Sequence, residues 1–194
     1  LWERVGGLVG AAEESTMLVG MTELLAEYNG IAKASHIQEK ISELICYAEV
    51  IRMALDSAMR NYETTESGMI YPNTMDVNVG KYYFASNYHS MIRHVHDIAG
   101  GLVVTMPLEG DLRSEETGHY LRKYLHTRPD VDIEDRMKLY NLIRDKTADA
   151  YGGWGLVTNI QAGGGLAAQK IVMSRSYDLE HAKQVAREAA GIEG

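Results

Sequence analysis

The feature that most constrains the fold is an apolar stripe that runs from residue 36 to residue 62. Its members recur every three or four positions and are Ile37, Ile41, Leu44, Ala48, Ile51, Leu55, Ala58 and Tyr62. This heptad spacing places them on one side of a single α-helix, which would be about 40 Å long at 1.5 Å per residue. A stripe of that length must pack against other helices, so the pattern predicts a helical bundle. Ser35 and Gln38 predict a capping box at the start of the helix.

Two further long helices are predicted on either side of this one. Residues 5–28 carry an apolar face and end at Asn29-Gly30, a pair suited to left-handed backbone geometry. That face is formed by Val5, Leu8, Val9, Ala12, Val19, Leu24 and Tyr28. Residues 76–99 also read as a helix after a loop at 63–75, and Gly80 in its middle weakens it unless close packing requires glycine.

The C-terminal half also reads as helical. Ser114 is predicted to cap a short helix that ends near Leu125. Asp132 with Asp135 opens a long helix that reaches about Asn159, and its end is interrupted by Gly152-Gly153 and Gly155. Shorter helices follow at 166–174 and 178–190, the second capped by Asp178, whereas the apolar run 102–106 is too short to establish a sheet. No segment alternates with period two beyond a few residues. The predicted fold class is therefore all-α, an antiparallel bundle of about four long helices plus short C-terminal helices.

Charge and cysteine content exclude several classes of function. The net charge of −8, from 19 basic and 27 acidic residues, argues against nucleic acid as a partner, since phosphate binding needs a basic surface. No apolar run approaches the roughly 20 residues that a membrane-spanning helix needs. Cys46 is the only cysteine, which excludes an intramolecular disulfide and fits a reducing, cytoplasmic location. Cys46 lies in a helical apolar run and is expected to be buried and inert.

A glycine-rich junction is the strongest candidate for a binding site. Thr158 and Asn159 precede Gln161, and Gly163-Gly164-Gly165 then leads into a predicted helix. Backbone N–H groups at the start of a helix favour anions, so this junction could hold phosphate. It is neither a Walker loop, because no Gly-Lys-Ser/Thr follows, nor a dinucleotide fingerprint, because no strand precedes it. The residues alone leave open an anion site and a plain helix junction.

Two other constellations lie on or after the helix at 76–99. Asn78 and Lys81 stand one turn apart, and Gly100-Gly101 after the helix is either a stop signal or a place where a ligand approaches the backbone. His89, Arg93 and His96 share a face that is most simply a solvated polar surface. His94 and His96 are two residues apart and therefore point in different directions on a helix, so no metal site is predicted.

Several stretches together resemble one enzyme family. Residues 28–40 resemble the stretch YNG-x-x-K-x-SH-x-x-x-K of 4-hydroxybutyryl-CoA dehydratases. Tyr71-Pro72 with Asn78 and Lys81 resembles a proline followed by an ANxxK segment, with Val77 in place of the alanine. Residues 98–111 are similar to the stretch DIAGGLxVTMPxExD, the most specific of the three. The chain thus resembles the 4-hydroxybutyryl-CoA dehydratase and 4-hydroxyphenylacetate 3-hydroxylase family along essentially its whole length.

This resemblance implies an acyl-CoA dehydrogenase-like fold, of which residues 1–194 would form the single C-terminal helical domain. The N-terminal helical and middle β domains would then lie outside this chain, and because the first residue is Leu1 rather than Met we expect further chain before it. The family implies a homotetramer that binds FAD between subunits. The stretch from Gln161 to Gly164 is similar to the Q-x-x-G-G-x-G segment that meets a neighbour's FAD. The cofactor contacts implied are Asn78, Lys81, Gly100, Gly101, Thr158, Asn159, Gln161, Gly163 and Gly164.

Three functions follow from these observations. The first is a flavin-dependent 4-hydroxybutyryl-CoA dehydratase/vinylacetyl-CoA isomerase-like enzyme that acts on a small acyl-CoA substrate. The [4Fe-4S] cluster of such an enzyme would be ligated outside this chain, since one cysteine cannot hold it. The second is a reduced-flavin monooxygenase that hydroxylates a phenol, and it gains weight because Thr158 stands where the dehydratases carry a glutamate. The third is a non-catalytic helical oligomerisation module. For either enzyme the sequence assigns no catalytic residue, and the 194-residue chain alone is expected to be inactive.

Overall fold

The computed structural model describes residues 2–192, which form ten helices and one short hairpin. Their bounds are α1 Trp2–Tyr28, α2 Ser35–Arg60, β1 Glu63–Thr64, β2 Ile70–Tyr71, α3 Thr74–Ala99, α4 Leu102–Thr105, α5 Glu109–Arg113, α6 Gly118–Tyr124, α7 Ile133–Thr147, α8 Ala150–Gln161, α9 Leu166–Ser176 and α10 Leu179–Ala190. The predicted all-α class is confirmed. Among these residues, no helix is long and apolar enough to cross a membrane.

The core lies between α1, α2 and α3, each of which packs against the other two. Helices α7 and α8 pack against each other and close the bundle, while α9 lies along α3. The largest side chains buried completely or nearly so include Tyr47, Tyr88, Tyr140, Phe84 and Lys81. Helix α3 is therefore the central element, and it contacts α1, α8 and α9, which form the site described below.

The heptad stripe of α2 is confirmed for most of its length. Ile37, Ile41 and Leu44 are buried, as are Ile51 and Ala58, and Leu55 and Ala48 are half-buried. Tyr62 was predicted wrongly, because α2 ends at Arg60 and Tyr62 is 54% exposed. Tyr47 is buried instead, and its hydroxyl donates a hydrogen bond to the Phe84 carbonyl of α3 over 2.8 Å.

Some predicted helix ends differ in the structure. The capping box is absent because Ala34 is the N-cap of α2, and the Gln38 amide donates to the Ala32 carbonyl instead. Ser114 does not begin a helix. It follows α5, a turn that the sequence did not suggest, and α6 starts four residues later at Gly118. The caps at Asp132 and Asp178 are confirmed, since each side chain accepts a backbone N–H of its helix.

The long helix predicted from Asp132 to Asn159 is two helices. The break falls at Ala148 and Asp149, where the Asp149 carboxylate accepts the N–H groups of Tyr151 and Gly152 and so starts α8. Gly152-Gly153 was expected to interrupt the helix, but both glycines lie inside α8. The chain can therefore turn before α8, which aims the C-terminal end of α8 at α3.

Three side chains expected in the core lie outside it. Val9 and Leu24 of α1 are exposed, because the buried stripe of that helix runs through Leu8, Ala11, Ser15, Leu18 and Leu25. Cys46 is also exposed rather than buried, since the buried side of α2 passes through its neighbours Leu44 and Tyr47.

Gly80 is required by the close approach of three helices. A Cβ at this position would lie 2.7 Å from the Cβ of Ala54 on α2 and 3.0 Å from a methyl group of Leu8 on α1. We therefore expect Gly80→Ala to lower the free energy of unfolding by about 1 to 3 kcal/mol through overpacking, although alanine favours a helix. Urea unfolding of the intact protein measures this change.

Gly20→Ala is the matched control, because no heavy atom lies within 4 Å of its added Cβ. The double substitution Ala54→Gly with Gly80→Ala should recover part of the loss by removing the nearer contact. A Gly80→Ala protein as stable as wild type would show that the three helices can separate without cost.

Candidate functional site

The glycine-rich junction between α8 and α9 is a tight turn that needs glycine. Gly163 and Gly164 have φ angles of 76° and 97°, in the left-handed region that other residues rarely adopt. The Gly164 N–H donates to the Gln161 carbonyl, which closes the turn. Gly165 then serves as the N-cap of α9 without a side-chain hydrogen bond. The first N–H groups of α9 are consequently left without a side-chain cap.

Arg4 of α1 lies against this turn, and the sequence did not point to it. Its Nε donates to the Gly163 carbonyl over 2.7 Å, and its Nη1 donates to the Asn78 Oδ1 of α3. None of the ion pairs formed among residues 2–192 involves Arg4. The structure thus holds a half-buried guanidinium in one orientation, without an ion-pair partner in the described part of the chain.

Arg4 and the glycine turn line one groove of about 480 Å³. The residues that line it are Glu3, Arg4, Thr74, Gly163, Gly164 and Val172. A Cβ at Gly163 would stand 3.1 Å from the Arg4 Cγ, and one at Gly164 would stand 3.3 Å from the Arg4 Nη2. Glycine at both positions therefore leaves the guanidinium open to the groove.

Asn78 and Lys81, one turn apart on α3, are both buried and have different roles. The Asn78 side chain accepts from Arg4 and donates to the Thr74 carbonyl over 2.6 Å. Lys81 is 1% exposed, and its ammonium donates to the Asn159 carbonyl of α8 over 2.5 Å. Burial lowers the pKa of Lys81 to about 8. Asn78 thus supports the groove directly, whereas Lys81 contacts the end of α8.

The structure brings some of the remaining predicted cofactor-contacting residues to the glycine turn and leaves others away from it. Asn159 and Gln161 form the end of α8 beside the turn, and the Thr158 hydroxyl donates back to the Trp154 carbonyl within the same helix. Gly100 and Gly101 follow the other end of α3, roughly 30 Å from Asn78 at 1.5 Å per residue. The structure does not bring these two glycines to the groove.

Gln169 of α9 is a second residue that the sequence did not single out. Its side chain is fully buried, and its Nε2 donates to the Gly164 carbonyl over 2.6 Å. Its Oε1 has no hydrogen-bond partner among the described residues. Gln169 and Arg4 therefore fix the carbonyls of the two adjacent glycines from opposite elements, α9 and α1.

The histidines and Arg93 on α3 differ in their exposure to solvent. His89 and Arg93 are exposed, as expected for a solvated face, but His96 is half-buried and hydrogen-bonds to the Thr147 hydroxyl at 2.8 Å. Burial lowers the pKa of His96. His94 is buried and contacts Glu43 at 2.8 Å. Within residues 2–192, no group of three or more His, Cys, Asp or Glu side chains could hold a metal ion.

Comparison with known protein families gives one match over nearly the entire chain. The family described as HpaB: 4-hydroxyphenylacetate 3-hydroxylase C terminal matches residues 4–191, which include Arg4, the α3 residues and the glycine turn. The chain belongs to this family. The resemblance inferred from the sequence is thereby confirmed.

Members of the HpaB C-terminal family include enzymes of two kinds. The chain is 28% identical over 184 residues to 4-hydroxybutyryl-CoA dehydratase/vinylacetyl-CoA-Delta-isomerase of Clostridium aminobutyricum, covering 91% of this chain and 38% of that protein. It is 22% identical to the FADH(2)-dependent monooxygenase TftD of Burkholderia cepacia, covering 78% and 29%. The chain thus spans less than two fifths of the length of these relatives.

Solved structures of the family share the fold. An oxygen-tolerant archaeal 4-hydroxybutyryl-CoA dehydratase from N. maritimus superposes with a TM-score of 0.86 at 33% identity, covering 95% of this chain and 37% of that one. The oxygenase component HpaB of 4-hydroxyphenylacetate 3-monooxygenase, complexed with FAD, gives a TM-score of 0.89 at 21% identity, covering 95% and 39%. At that identity, the second likeness concerns the fold alone.

Proposed function

We propose that this chain is the C-terminal, FAD-contacting and oligomer-forming domain of a longer, cytoplasmic flavin enzyme that resembles 4-hydroxybutyryl-CoA dehydratase/vinylacetyl-CoA isomerase. The observation that carries the proposal is the Arg4 guanidinium, which is fixed against the Gly163-Gly164 turn and has no carboxylate partner among the described residues. Such a site is suited to a phosphate-containing ligand. FAD carries a pyrophosphate, and the family contains FAD-complexed proteins.

The donors around the groove fit a pyrophosphate. Arg4 retains N–H groups beyond those bound to Gly163 and Asn78, and the uncapped start of α9 supplies backbone N–H groups with a positive dipole end. Glycine at positions 163 and 164 lets the ligand approach the backbone. Glu3, also at the groove, is the one negatively charged lining residue, so it would favour a neutral or donor group of the cofactor beside it.

The roles of this chain's residues are to hold and orient the cofactor. When bound, FAD would supply the electron-transfer chemistry. Arg4, Gly163 and Gly164 would hold its pyrophosphate, Asn78 would hold Arg4, and Asn159, Gln161 and Gln169 would shape the turn. Catalytic groups, and the ligands of any [4Fe-4S] cluster, would come from the rest of the enzyme, so the chain alone would be inactive.

Sequence identity favours the acyl-CoA-type reaction over phenol hydroxylation. The two dehydratases are 28% and 33% identical to this chain over 91% and 95% of its length, whereas TftD and the probable 4-hydroxyphenylacetate 3-monooxygenase of Bacillus subtilis are 22% and 27% identical over 78% and 70%. One observation favours the monooxygenase as a second candidate. The resemblance drawn from the sequence implies that Thr158 takes the place of a glutamate of the dehydratases. Its hydroxyl donates to α8 carbonyls, and a threonine cannot act as an acid or base at neutral pH.

A homotetramer is the proposed assembly. The outward face of α8 carries Tyr151 and Trp154, whose stacked rings are 5.7 Å apart, and Val157 follows one turn later. All three are more than half exposed, which is typical of a surface that is covered in an assembly. Sedimentation of the intact protein should give four copies, and a monomer at micromolar concentration would contradict this assembly.

The function is tested by the visible absorption spectrum of the intact protein, purified without oxygen. Flavin bands with a broad iron–sulfur shoulder that bleaches on reduction would support the dehydratase/isomerase. Flavin bands alone, or flavin gained only with reduced FAD, would support the monooxygenase. A protein that binds no flavin in either redox state, yet still forms tetramers, would leave only the oligomerisation module.

Gly164→Asp is expected to weaken FAD retention about tenfold or more, because a carboxylate would stand against the pyrophosphate and pair with Arg4. Gly164→Asn is the matched control, since it has the same size and the same strain at a φ of 97° but no charge. FAD content after gel filtration measures the difference. Equal retention by the Asp and Asn variants would count against a phosphate at this position.

A further inference from the structure

Lys81 is a buried cation without an acidic partner in the described part of the chain. None of the ion pairs formed there involves it, and its ammonium lies 4.8 Å from the centre of the Phe84 ring. Burying an ammonium is costly unless it is well bonded. Lys81 makes a single hydrogen bond among the described residues, to the Asn159 carbonyl, so the burial of this ammonium requires an explanation. Direct contact with a ligand in the groove does not provide one, because Lys81 does not line the groove.

The Asn159 carbonyl belongs to the last turn of α8, whose carbonyls have no partner within the helix. The turn beyond α8 satisfies two of them, because the Ala162 N–H donates to Thr158 and the Gly164 N–H donates to Gln161. Lys81 satisfies the Asn159 carbonyl from α3. A cation at this position also offsets the negative end of the helix dipole. Lys81 thus contributes to the cap from which the glycine turn begins.

Helix α3 in this way holds both sides of the groove. Asn78 binds Arg4, which contacts the Gly163 carbonyl, and Lys81, one turn further along, binds the end of α8. The two side chains stand at i and i+3 on one face of one rigid helix. Helix α3 consequently links Arg4 to the end of α8 from which the glycine turn begins.

We propose that Lys81 is a positioning residue for the FAD site, which fixes the C-terminal end of α8 so that the Gly163-Gly164 turn meets Arg4 with its backbone open to the pyrophosphate. This inference rests on the proposed function. It assigns Lys81 a role through the Asn159 carbonyl, in place of the direct cofactor contact expected from the sequence. The depressed pKa of Lys81 agrees with an ammonium held by packing rather than by a counter-ion.

The test compares Lys81→Met, which keeps the length of the side chain but cannot donate, with Lys81→Gln, which keeps an N–H donor without the charge. FAD and riboflavin dissociation constants are measured on the intact protein by fluorescence titration, with thermal melting as the check on folding. Lys81→Met should bind FAD about tenfold more weakly, because the glycine turn would have to be ordered against Arg4 when the ligand binds. Riboflavin, which lacks the pyrophosphate, should be unaffected, and Lys81→Gln should recover part of the affinity.

The outcomes separate this inference from the proposed function. Unchanged FAD affinity in a folded Lys81→Met protein, together with a large loss in Arg4→Ala, would overturn the positioning role alone. Unchanged affinity in both variants would overturn the site itself. An equal loss for riboflavin and FAD would also overturn the positioning role, because it would indicate general damage to the domain. If Lys81→Met fails to fold, Lys81→Gln and Lys81→Ala are compared instead. Wild-type FAD affinity in both of these variants would also overturn the positioning role.

Discussion

Arg4→Ala is expected to weaken FAD binding by the intact protein about 10- to 100-fold. One charge-assisted contact contributes about 1.5 to 3 kcal/mol, and 1.4 kcal/mol corresponds to a factor of ten. The loss should be large because the guanidinium is held by Gly163 and Asn78 before the ligand arrives, so little ordering is required on binding. The measurement is a fluorescence titration of protein freed of flavin.

Two variants control for charge and geometry. Arg4→Lys keeps the charge but loses the fork that bonds Gly163 and Asn78 at once, so it should fall between wild type and Arg4→Ala. Arg175→Ala removes an exposed arginine near the C-terminal end of α9 and should leave FAD affinity unchanged. Equal affinities for wild type and Arg4→Ala would exclude Arg4 from the site.

Gly152→Ala is expected to be the most destabilising small substitution in α8. A Cβ at this glycine would lie 2.7 Å from the Thr147 nitrogen and 2.8 Å from the Thr147 carbonyl carbon. Both are backbone atoms at the end of α7, so they cannot move aside as a side chain can. We expect the free energy of unfolding to fall by about 2 to 3 kcal/mol, the upper part of the range for overpacking.

The neighbouring glycine provides the control. Gly153 lies in the same helix with no heavy atom within 4 Å of an added Cβ, so Gly153→Ala should be neutral or stabilise by up to about 1 kcal/mol. Urea unfolding of the two intact variants measures the difference. Similar midpoints for Gly152→Ala and Gly153→Ala would show that α7 and α8 do not meet as closely as described.

The long helices could be predicted from the sequence because their buried stripes follow the helical period. Ile37, Ile41 and Leu44 are one example, and the loops at 29–34 and 61–73, which separate the three longest helices, carry glycine or proline. The ends of the helices, and the break between α7 and α8, were harder to predict. Asp149 caps α8 in the middle of a continuous helical pattern, and Ala34 takes the cap position that Ser35 suggested. Cap preference alone favours Ser35 over Ala34, so the start of α2 is not set by its cap residue.

The candidate site was predictable only where local chemistry demands a residue type. Three consecutive glycines before a helix indicated the turn, because positive φ and close approach both require glycine. Arg4 lies 159 residues away from Gly163 in sequence, and no pattern of charge near the start of the chain marks it. The same holds for Gln169, whose burial depends on the packing of α9 against α3.

The central claim is that this domain holds FAD by its pyrophosphate between Arg4 and the glycine turn. An experimental structure of the intact protein with FAD tests it most directly. We expect pyrophosphate oxygens about 3 Å from the Arg4 guanidinium and from backbone N–H groups at the start of α9. FAD bound elsewhere, with this groove open to solvent and Arg4 in the same position, would contradict the claim.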